Sequence, residues 1–132
     1  MKNPIFKIIL VPLSLFLFST QCEDDVLPRN QENDQQELAL LKTEIEDLAN
    51  TSVCGDTFEC KYIGLGTKPC GGPWNYLVYS TSINTEQLES LVESYNNKET
   101  DYNINWNIAS DCAIINPPTN ITCENNTCVA VF

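Results

Sequence analysis

The side chains that could carry chemistry in this chain are its cysteines, because histidine is absent and cysteine occurs seven times among 132 residues. Without histidine the chain cannot build a Ser-His-Asp triad, a Cys-His dyad or a histidine-ligated zinc or haem site. A high density of cysteine in a short chain is typical of exported proteins, in which thiols are oxidised to disulfides. The composition therefore excludes histidine-dependent enzymes and favours a disulfide-linked exported protein.

The spacing of the cysteines distinguishes disulfide bonding from metal ligation. They follow one another at spacings that include C-x5-C, C-x9-C and C-x4-C, and none of these is the paired C-x2-C of zinc ribbons. We therefore expect neither a metal nor another cofactor. The prediction is three disulfides formed by Cys54, Cys60, Cys70, Cys112, Cys123 and Cys128.

Local geometry favours one disulfide pairing, between Cys123 and Cys128. If residues 125–126 (Asn-Asn) form a two-residue turn, the two cysteines are directly opposed and their Cα atoms lie about 4.5 Å apart. That separation is within the roughly 4.4–6.8 Å that a disulfide spans. If both side chains face the core, however, other cysteines compete as partners. With the Cys123–Cys128 bridge formed, the other two bridges are expected to be Cys54–Cys70 and Cys60–Cys112.

The chain is acidic, with 18 Asp and Glu against 7 Lys and Arg and a net charge of −11. Nucleic acid is excluded as a partner, because its phosphates require Lys and Arg. The charge is interpreted as a source of solubility, with attraction to a cationic partner as the alternative. No calcium-loop motif occurs, and no pair is marked out as a general acid and base among the candidate carboxylates Asp56, Glu59, Asp101, Asp111 and Glu124. We expect no enzymatic activity.

The most unusual local string is residues 68–74, KPCGGPW. A disulfide at Cys70 would fix one end, and Pro73 restricts the backbone before the strand that follows. Small inhibitors present rigid loops of this kind, because pre-organisation lowers the cost of binding. The predicted contact residues are Lys68, Pro69, Gly71, Gly72, Pro73 and Trp74. The alternative is a plain turn with Trp74 in the core.

The N-terminal residues 1–21 have the composition of a secretory signal. Lys2 and Lys7 are basic, and the apolar run that follows, residues 8–18, is shorter than the roughly 20 residues that span a membrane. An uncleaved single-pass anchor is the alternative. Loss of this segment with its two lysines would leave 5 basic and 18 acidic residues, a charge of 5 − 18 = −13.

The stretch FSTQC, residues 18–22, resembles the cleavage box of bacterial lipoproteins, and the acidic residues 23–25 resemble the tag of surface-displayed Bacteroidota lipoproteins. The resemblance implies lipidation of Cys22, attachment to a membrane, and an outer-membrane or cell-surface location. It also accounts for the odd number of cysteines, since six remain for three bridges once Cys22 is set aside. An intermolecular disulfide through Cys22 is the alternative.

A tether and a helix precede the globular part. Residues 22–33 are polar, as in a flexible tether, and residues 34–50 carry a helical pattern that begins with Asp34 and Glu37 as a capping box. The apolar residues Leu38, Leu41, Ile45 and Leu48 form one stripe. Two alternatives follow: a spacer helix that packs on its own domain, or a short coiled-coil oligomer through residues 38–48, with a monomer preferred.

The globular part, residues 51–132, is predicted as α+β: a small disulfide-linked antiparallel sheet with one packed helix. A helix capped by Asn84 ends near Asn96-Asn97, and its predicted apolar stripe is Leu88, Leu91, Val92 and Tyr95. Strands are predicted at 58–65, 74–80 (central, with both faces covered), 102–108 and 112–115, with a hairpin at 121–132. The region resembles small cysteine-rich exported domains of Bacteroidota, a resemblance that implies no activity.

These patterns together favour a lipid-anchored binding module of the cell envelope, with an unknown protein or glycan as its ligand. The alternative is an inhibitor of a secreted protease or lysozyme, acting through residues 68–74 or through the acidic surface.

Replacement of Cys22 tests the predicted anchor. Because the lipid would be attached to this sulfur, Cys22→Ala should abolish incorporation of radiolabelled fatty acid and release the protein from membranes. Fractionation with membranes in the variant would instead identify residues 1–21 as an uncleaved anchor.

Overall fold

The computed structural model describes residues 30–132, so the predicted signal segment, Cys22 and most of the predicted tether lie outside the described residues. The element order is α1 (Gln31–Asn50), β1 (Cys60–Leu65), β2 (Asn75–Ser80), α2 (Thr85–Asn105), β3 (Asn120–Glu124) and β4 (Thr127–Val131). The α+β class is confirmed. The predicted sheet is divided into two antiparallel pairs, β1-β2 and β3-β4.

Helix α1 begins earlier than the sequence pattern suggested. The side chain of Asn30 accepts a hydrogen bond of 2.7 Å from the backbone N–H of Asn33, which makes Asn30 the N-cap. Residues 31–33, predicted as tether, are therefore helical. Asp34 is not the cap, and its carboxylate instead accepts a 2.9 Å hydrogen bond from the indole N–H of Trp106.

The apolar stripe of α1 packs within its own chain. Leu38 and Ile45 are buried, and Leu41 and Leu48 lie against the same core. An isolated helix of this length is marginal in water, so its stability depends on this packing. Of the two alternatives for residues 34–50, the structure shows the helix packed on residues 51–132.

Helix α2 starts as predicted and ends later. The side chain of Asn84 caps it by accepting a 3.1 Å hydrogen bond from Gln87 N–H. The helix does not stop at Asn96-Asn97 but continues to Asn105, so the predicted strand at 102–108 is wrong.

The alternation of Asn and Ile over residues 102–108 was misleading because the polar residue faces inward. Asn103 is buried, whereas Ile104 is 70% exposed. Asn103 lies on the same buried face of α2 as Leu88, Val92 and Tyr95, since residues on one face of a helix recur at intervals of three or four. Its buried amide is satisfied by donating a 2.7 Å hydrogen bond to the carbonyl of Thr67.

Strand β2 was predicted as central, but within residues 30–132 it pairs only with β1. The register joins Cys60 to Ser80 and Leu65 to Asn75, which leaves residues 66–74 as the connecting loop. Tyr79 of β2 is buried and donates a 2.8 Å hydrogen bond to Glu89. Burial, and next the Glu89 carboxylate, raises the pKa of Tyr79 to about 12, so the phenol remains a neutral donor.

The C-terminal hairpin forms as predicted. Asn125 and Asn126 have φ values of 51° and 64°, the left-handed pair that a two-residue hairpin turn requires. Cys123 lies directly opposite Cys128 in the register. The predicted short strand at 112–115 is absent, because residues 108–118 have no regular secondary structure.

The six cysteines form three disulfides, but none of the predicted pairings occurs. The bridges are Cys54–Cys123, Cys60–Cys128 and Cys70–Cys112, with Cα separations of 5.8, 5.7 and 5.4 Å. The expected Cys123–Cys128, Cys54–Cys70 and Cys60–Cys112 bridges are therefore wrong. Opposed residues of a hairpin present their side chains on one face, and Cys123 and Cys128 both use that face to bond to the rest of the domain.

The three disulfides indicate an oxidising, extracellular environment. Over residues 30–132, neither helix has the length and apolar composition needed to cross a membrane.

Truncation of Leu88 tests the core. Leu88 is fully buried, so Leu88→Ala should lower the free energy of unfolding by about 2–5 kcal/mol. Leu40→Ala is the matched control, because Leu40 is also helical but 66% exposed, and it should change stability by less than about 0.5 kcal/mol. Urea unfolding with the disulfides intact measures both, and equal losses would contradict the assigned core.

Candidate functional site

The loop at 66–74 is a closed, tightly turned structure. Gly71 N–H donates to the carbonyl of Lys68 at 2.8 Å, a four-residue turn with Pro69 at the second position that such turns favour. Lys68 N–H donates to the carbonyl of Gly72, also at 2.8 Å. Gly71 and Gly72 have φ values of 94° and 83°, which glycine adopts without steric cost.

Helix α2 holds the base of this loop. The Asn96 side chain accepts a 2.7 Å hydrogen bond from Gly66 N–H and donates one of 3.2 Å to the carbonyl of Gly64. One turn further on, the Glu99 carboxylate accepts from Thr67 N–H. Asn96, at which α2 was predicted to end, and Glu99 beyond it therefore fix the loop in place.

Lys68 points inward and is 5% exposed. Its ammonium donates a 2.5 Å hydrogen bond to the carbonyl of Ala113, lies 3.5 Å from a carboxylate oxygen of Asp111, and sits 5.1 Å from the centroid of the Trp74 ring. A buried lysine requires such partners. Lys68 therefore joins the loop to residues 111–117, which we call the braced segment, and it is not presented as a contact residue.

Further contacts fix the braced segment from both sides. The Cys70–Cys112 disulfide attaches it to the tip of the loop. Asp111 accepts a 3.1 Å hydrogen bond from Ala113 N–H, and the Tyr76 hydroxyl lies 3.5 Å from the carbonyl of Ile115. The backbone of Cys112 has a φ of 54°, an uncommon left-handed conformation for a non-glycine residue. Such outliers persist where the surroundings determine them, often at functional sites.

Asp111 is kept ionised by the same contacts. The Ala113 N–H, and next the Lys68 ammonium, hold the pKa of the Asp111 carboxyl below its usual range. Its side chain remains 71% exposed, so water screens this charge and the ion pair contributes modestly to stability.

The braced segment presents an apolar side chain to solvent. Ile114 is 89% exposed and Ile115 is 36% exposed, although the main chain on either side of Ile114 is hydrogen-bonded. Residues 70–73 and the braced segment line a groove of about 420 Å³ beside it. Pro118, directly after the segment, is buried. The arrangement holds a hydrophobic side chain outward at a defined position.

The predicted contact residues divide between support and surface. Lys68 lies inside and Pro73 is half-buried, whereas Trp74, whose ring centroid lies 5.1 Å from the Lys68 ammonium, is 37% exposed. Pro69, Gly71 and Gly72 are also exposed. The braced segment itself was missed, because its apolar residues were assigned to a strand ended by Pro117-Pro118. The signal available in the sequence was the apolar pair Ile114-Ile115, which lies between Cys112 and Pro117-Pro118.

A second cluster contains sulfur. The Sγ atoms of Cys54, Cys60 and Cys128 lie within 4.8 Å of one another, because the Cys54–Cys123 and Cys60–Cys128 bridges are adjacent. Metals bind thiolates, whereas all of these sulfurs are engaged in disulfides. The cluster is a covalent junction.

Comparisons with known protein families, with curated proteins and with solved structures find no match to this chain. The function is therefore inferred from the geometry of the site.

Removal of the Lys68 charge tests the link between loop and segment. In Lys68→Met the pKa of Asp111 should rise but stay below its usual value, because the stronger influence, the Ala113 N–H, remains. Since the folded-state pKa lies below the unfolded value, this carboxylate stabilises the fold above the unfolded pKa. That contribution is lost as the pH falls through the folded pKa. Because the variant brings the folded pKa closer to the unfolded value, the pH range over which this stabilisation is lost becomes narrower. Carbon-detected NMR titration measures the shift.

Lys61→Met is the control for this titration, because Lys61 is exposed on β1. It should leave the Asp111 titration unchanged. Identical Asp111 curves in the wild type and in Lys68→Met would show that Lys68 does not pair with the segment in solution.

Proposed function

We propose that this chain is an exported, lipid-anchored module of the cell envelope that binds a protein partner through the braced segment. The lipoprotein-like sequence around Cys22 supports the anchor, and the acidic residues 23–25 support display at the cell surface. The three disulfides are consistent with this location.

The observation that carries the proposal is the exposure of Ile114 on a backbone that is fixed around it. Leaving an aliphatic side chain 89% exposed forgoes the stabilisation that its burial would give. Here the Cys70–Cys112 bridge and the Lys68 hydrogen bond to Ala113 hold the chain in that state. A rigid, pre-ordered contact loses less conformational entropy on binding than a flexible one.

The chemistry of the segment favours a protein over a glycan. Ile114 and Ile115 have no side-chain group that could bond to sugar hydroxyls, whereas an apolar anchor that enters a partner's pocket is typical of protein interfaces. The exposed loop residues Gly71 and Gly72 line the groove and can form the polar backbone rim of such a contact.

Site-specific photocrosslinking tests the proposal. A photoreactive residue at position 114 in the intact chain, expressed in cells, should form a discrete adduct with one protein. The matched control carries the same residue at position 40, because Leu40 is 66% exposed on α1 and far from the segment in sequence. An excess of wild-type chain should suppress the adduct, and an excess of Ile114→Asp chain should not.

The same adducts at both positions, or an adduct that both competitors suppress equally, would contradict binding through the braced segment. The absence of any protein adduct at position 114 would also contradict it.

A further inference from the structure

We infer that the braced segment is a substrate-like inhibitory loop for serine proteases with a small apolar specificity pocket, with Ile114 in that pocket. The Ile114–Ile115 peptide bond would then face the catalytic serine. The inference rests on the proposed function and names the class of the protein partner.

The backbone of the segment suits a protease cleft. Extended peptides bind by adding a strand to the edge of the host protein's sheet, and residues 108–118 contain no helix or turn. Asn116 and Pro117 each precede a proline, which sterically restricts them to extended conformations. The chain on the carboxyl side of Ile114 is therefore restricted to the extended conformations of a bound substrate, whereas on its amino side Cys112 has a left-handed φ of 54°.

The exposed side chain selects the class of pocket. Trypsin places an aspartate at the base of its specificity pocket, chymotrypsin has a deep hydrophobic slot, and elastase has a small pocket. Ile114 is aliphatic, uncharged and branched at Cβ, so it matches a small apolar pocket and has no charge to pair with an aspartate. A trypsin-like contact through Lys68 is disfavoured, because its ammonium is buried against Ala113 and Trp74.

The structure also explains why cleavage would be reversible. The serine oxygen adds to the carbonyl carbon of Ile114, the Ile114–Ile115 C–N bond breaks, and the serine proton passes through the protease histidine to the Ile115 nitrogen. The resulting amine would not diffuse away. Its side of the chain is held by the buried Pro118 and by a 2.8 Å hydrogen bond from Thr119 N–H to the carbonyl of Val131.

The other side of the cleaved bond is equally fixed. Ile114 would remain attached through Cys112 to Cys70, so the amine of Ile115 stays beside the acyl ester. Attack by that amine re-forms the peptide bond and returns the proton to the serine. Retention of the leaving group in this way makes religation faster than release, which is the property of an inhibitor and not of a substrate.

Exchange of the residue at position 114 tests the inference. The purified full-length wild-type chain should inhibit pancreatic and leukocyte elastases in a chromogenic peptide assay, without inhibiting trypsin. Ile114→Lys should weaken elastase inhibition by roughly 100-fold or more, because an unpaired charge in an apolar pocket is strongly unfavourable. The same variant should gain inhibition of trypsin.

The matched control is Ile104→Lys, because Ile104 is 70% exposed on α2. It should inhibit elastase as the wild type does and should not inhibit trypsin. Circular dichroism and a thiol assay confirm that each variant retains its fold and its bridges.

If the wild type inhibits neither pancreatic nor leukocyte elastase, the inference is overturned, even if Ile114→Lys inhibits trypsin. Rapid, complete cleavage at Ile114–Ile115 without inhibition would also overturn it, as would elastase inhibition that Ile114→Lys leaves unchanged. A crosslinked partner at position 114 that is not a protease would overturn the inference and leave the proposed function intact.

Discussion

The fold depends on covalent attachment of its C-terminal hairpin. Among the described residues, the main hydrophobic cluster is built from α1, α2, β1 and β2 and includes no residue of β3 or β4. A two-stranded hairpin is marginal in water by itself. Two disulfides, Cys54–Cys123 and Cys60–Cys128, join it to residues that precede and begin β1. For sequence separations of 69 and 68, restriction of the unfolded chain is worth about 4 kcal/mol per loop of that length.

A chain of support leads from the core to the braced segment. The core positions α2, and the polar side chains of Asn96, Glu99 and Asn103 fix the loop at 66–74. Gly66 is essential at the join: its φ is +83°, and a Cβ there would lie 2.6 Å from Cδ1 of Trp74. The loop in turn directs Lys68 to the carbonyl of Ala113. Each step replaces hydrogen bonds to water with internal ones, and Ile114, 89% exposed, lies at the end of this series.

Local patterns predicted the elements whose stability is local. The cap at Asn84, the apolar stripe of α1 and the turn at Asn125-Asn126 each depend on residues a few positions apart, and all three were found. Residues 102–108 were misassigned because alternation cannot reveal that Asn103 finds a buried carbonyl on another element. The predicted strands and helices also do not determine the disulfide partners, since cysteines on the same face of a hairpin can bond to each other or to several other cysteines.

The candidate site could be located only in part. Residues 68–74 were singled out correctly as an unusual loop, but lysine is almost never fully buried unless paired, so the inward direction of Lys68 could not be foreseen. Its partners, Asp111 and Ala113, lie more than 40 positions along the chain. That separation is bridged by tertiary structure, through α2 and the Cys70–Cys112 bond, and no short sequence window contains it.

The close approach of two bridges has a consequence for how the protein acquires its native pairing. Four cysteines can be joined in about three ways, and here three of the four sulfurs lie within 4.8 Å of one another. Cys123 and Cys128 are cross-strand neighbours, so closing a ring between them costs less entropy than closing the two long native rings. Oxidation of the nascent chain would therefore tend to trap this short ring first. Reaching the native bridges then requires a thiolate to attack and reshuffle it, which makes the yield of natively bridged protein dependent on the rate of thiol–disulfide exchange.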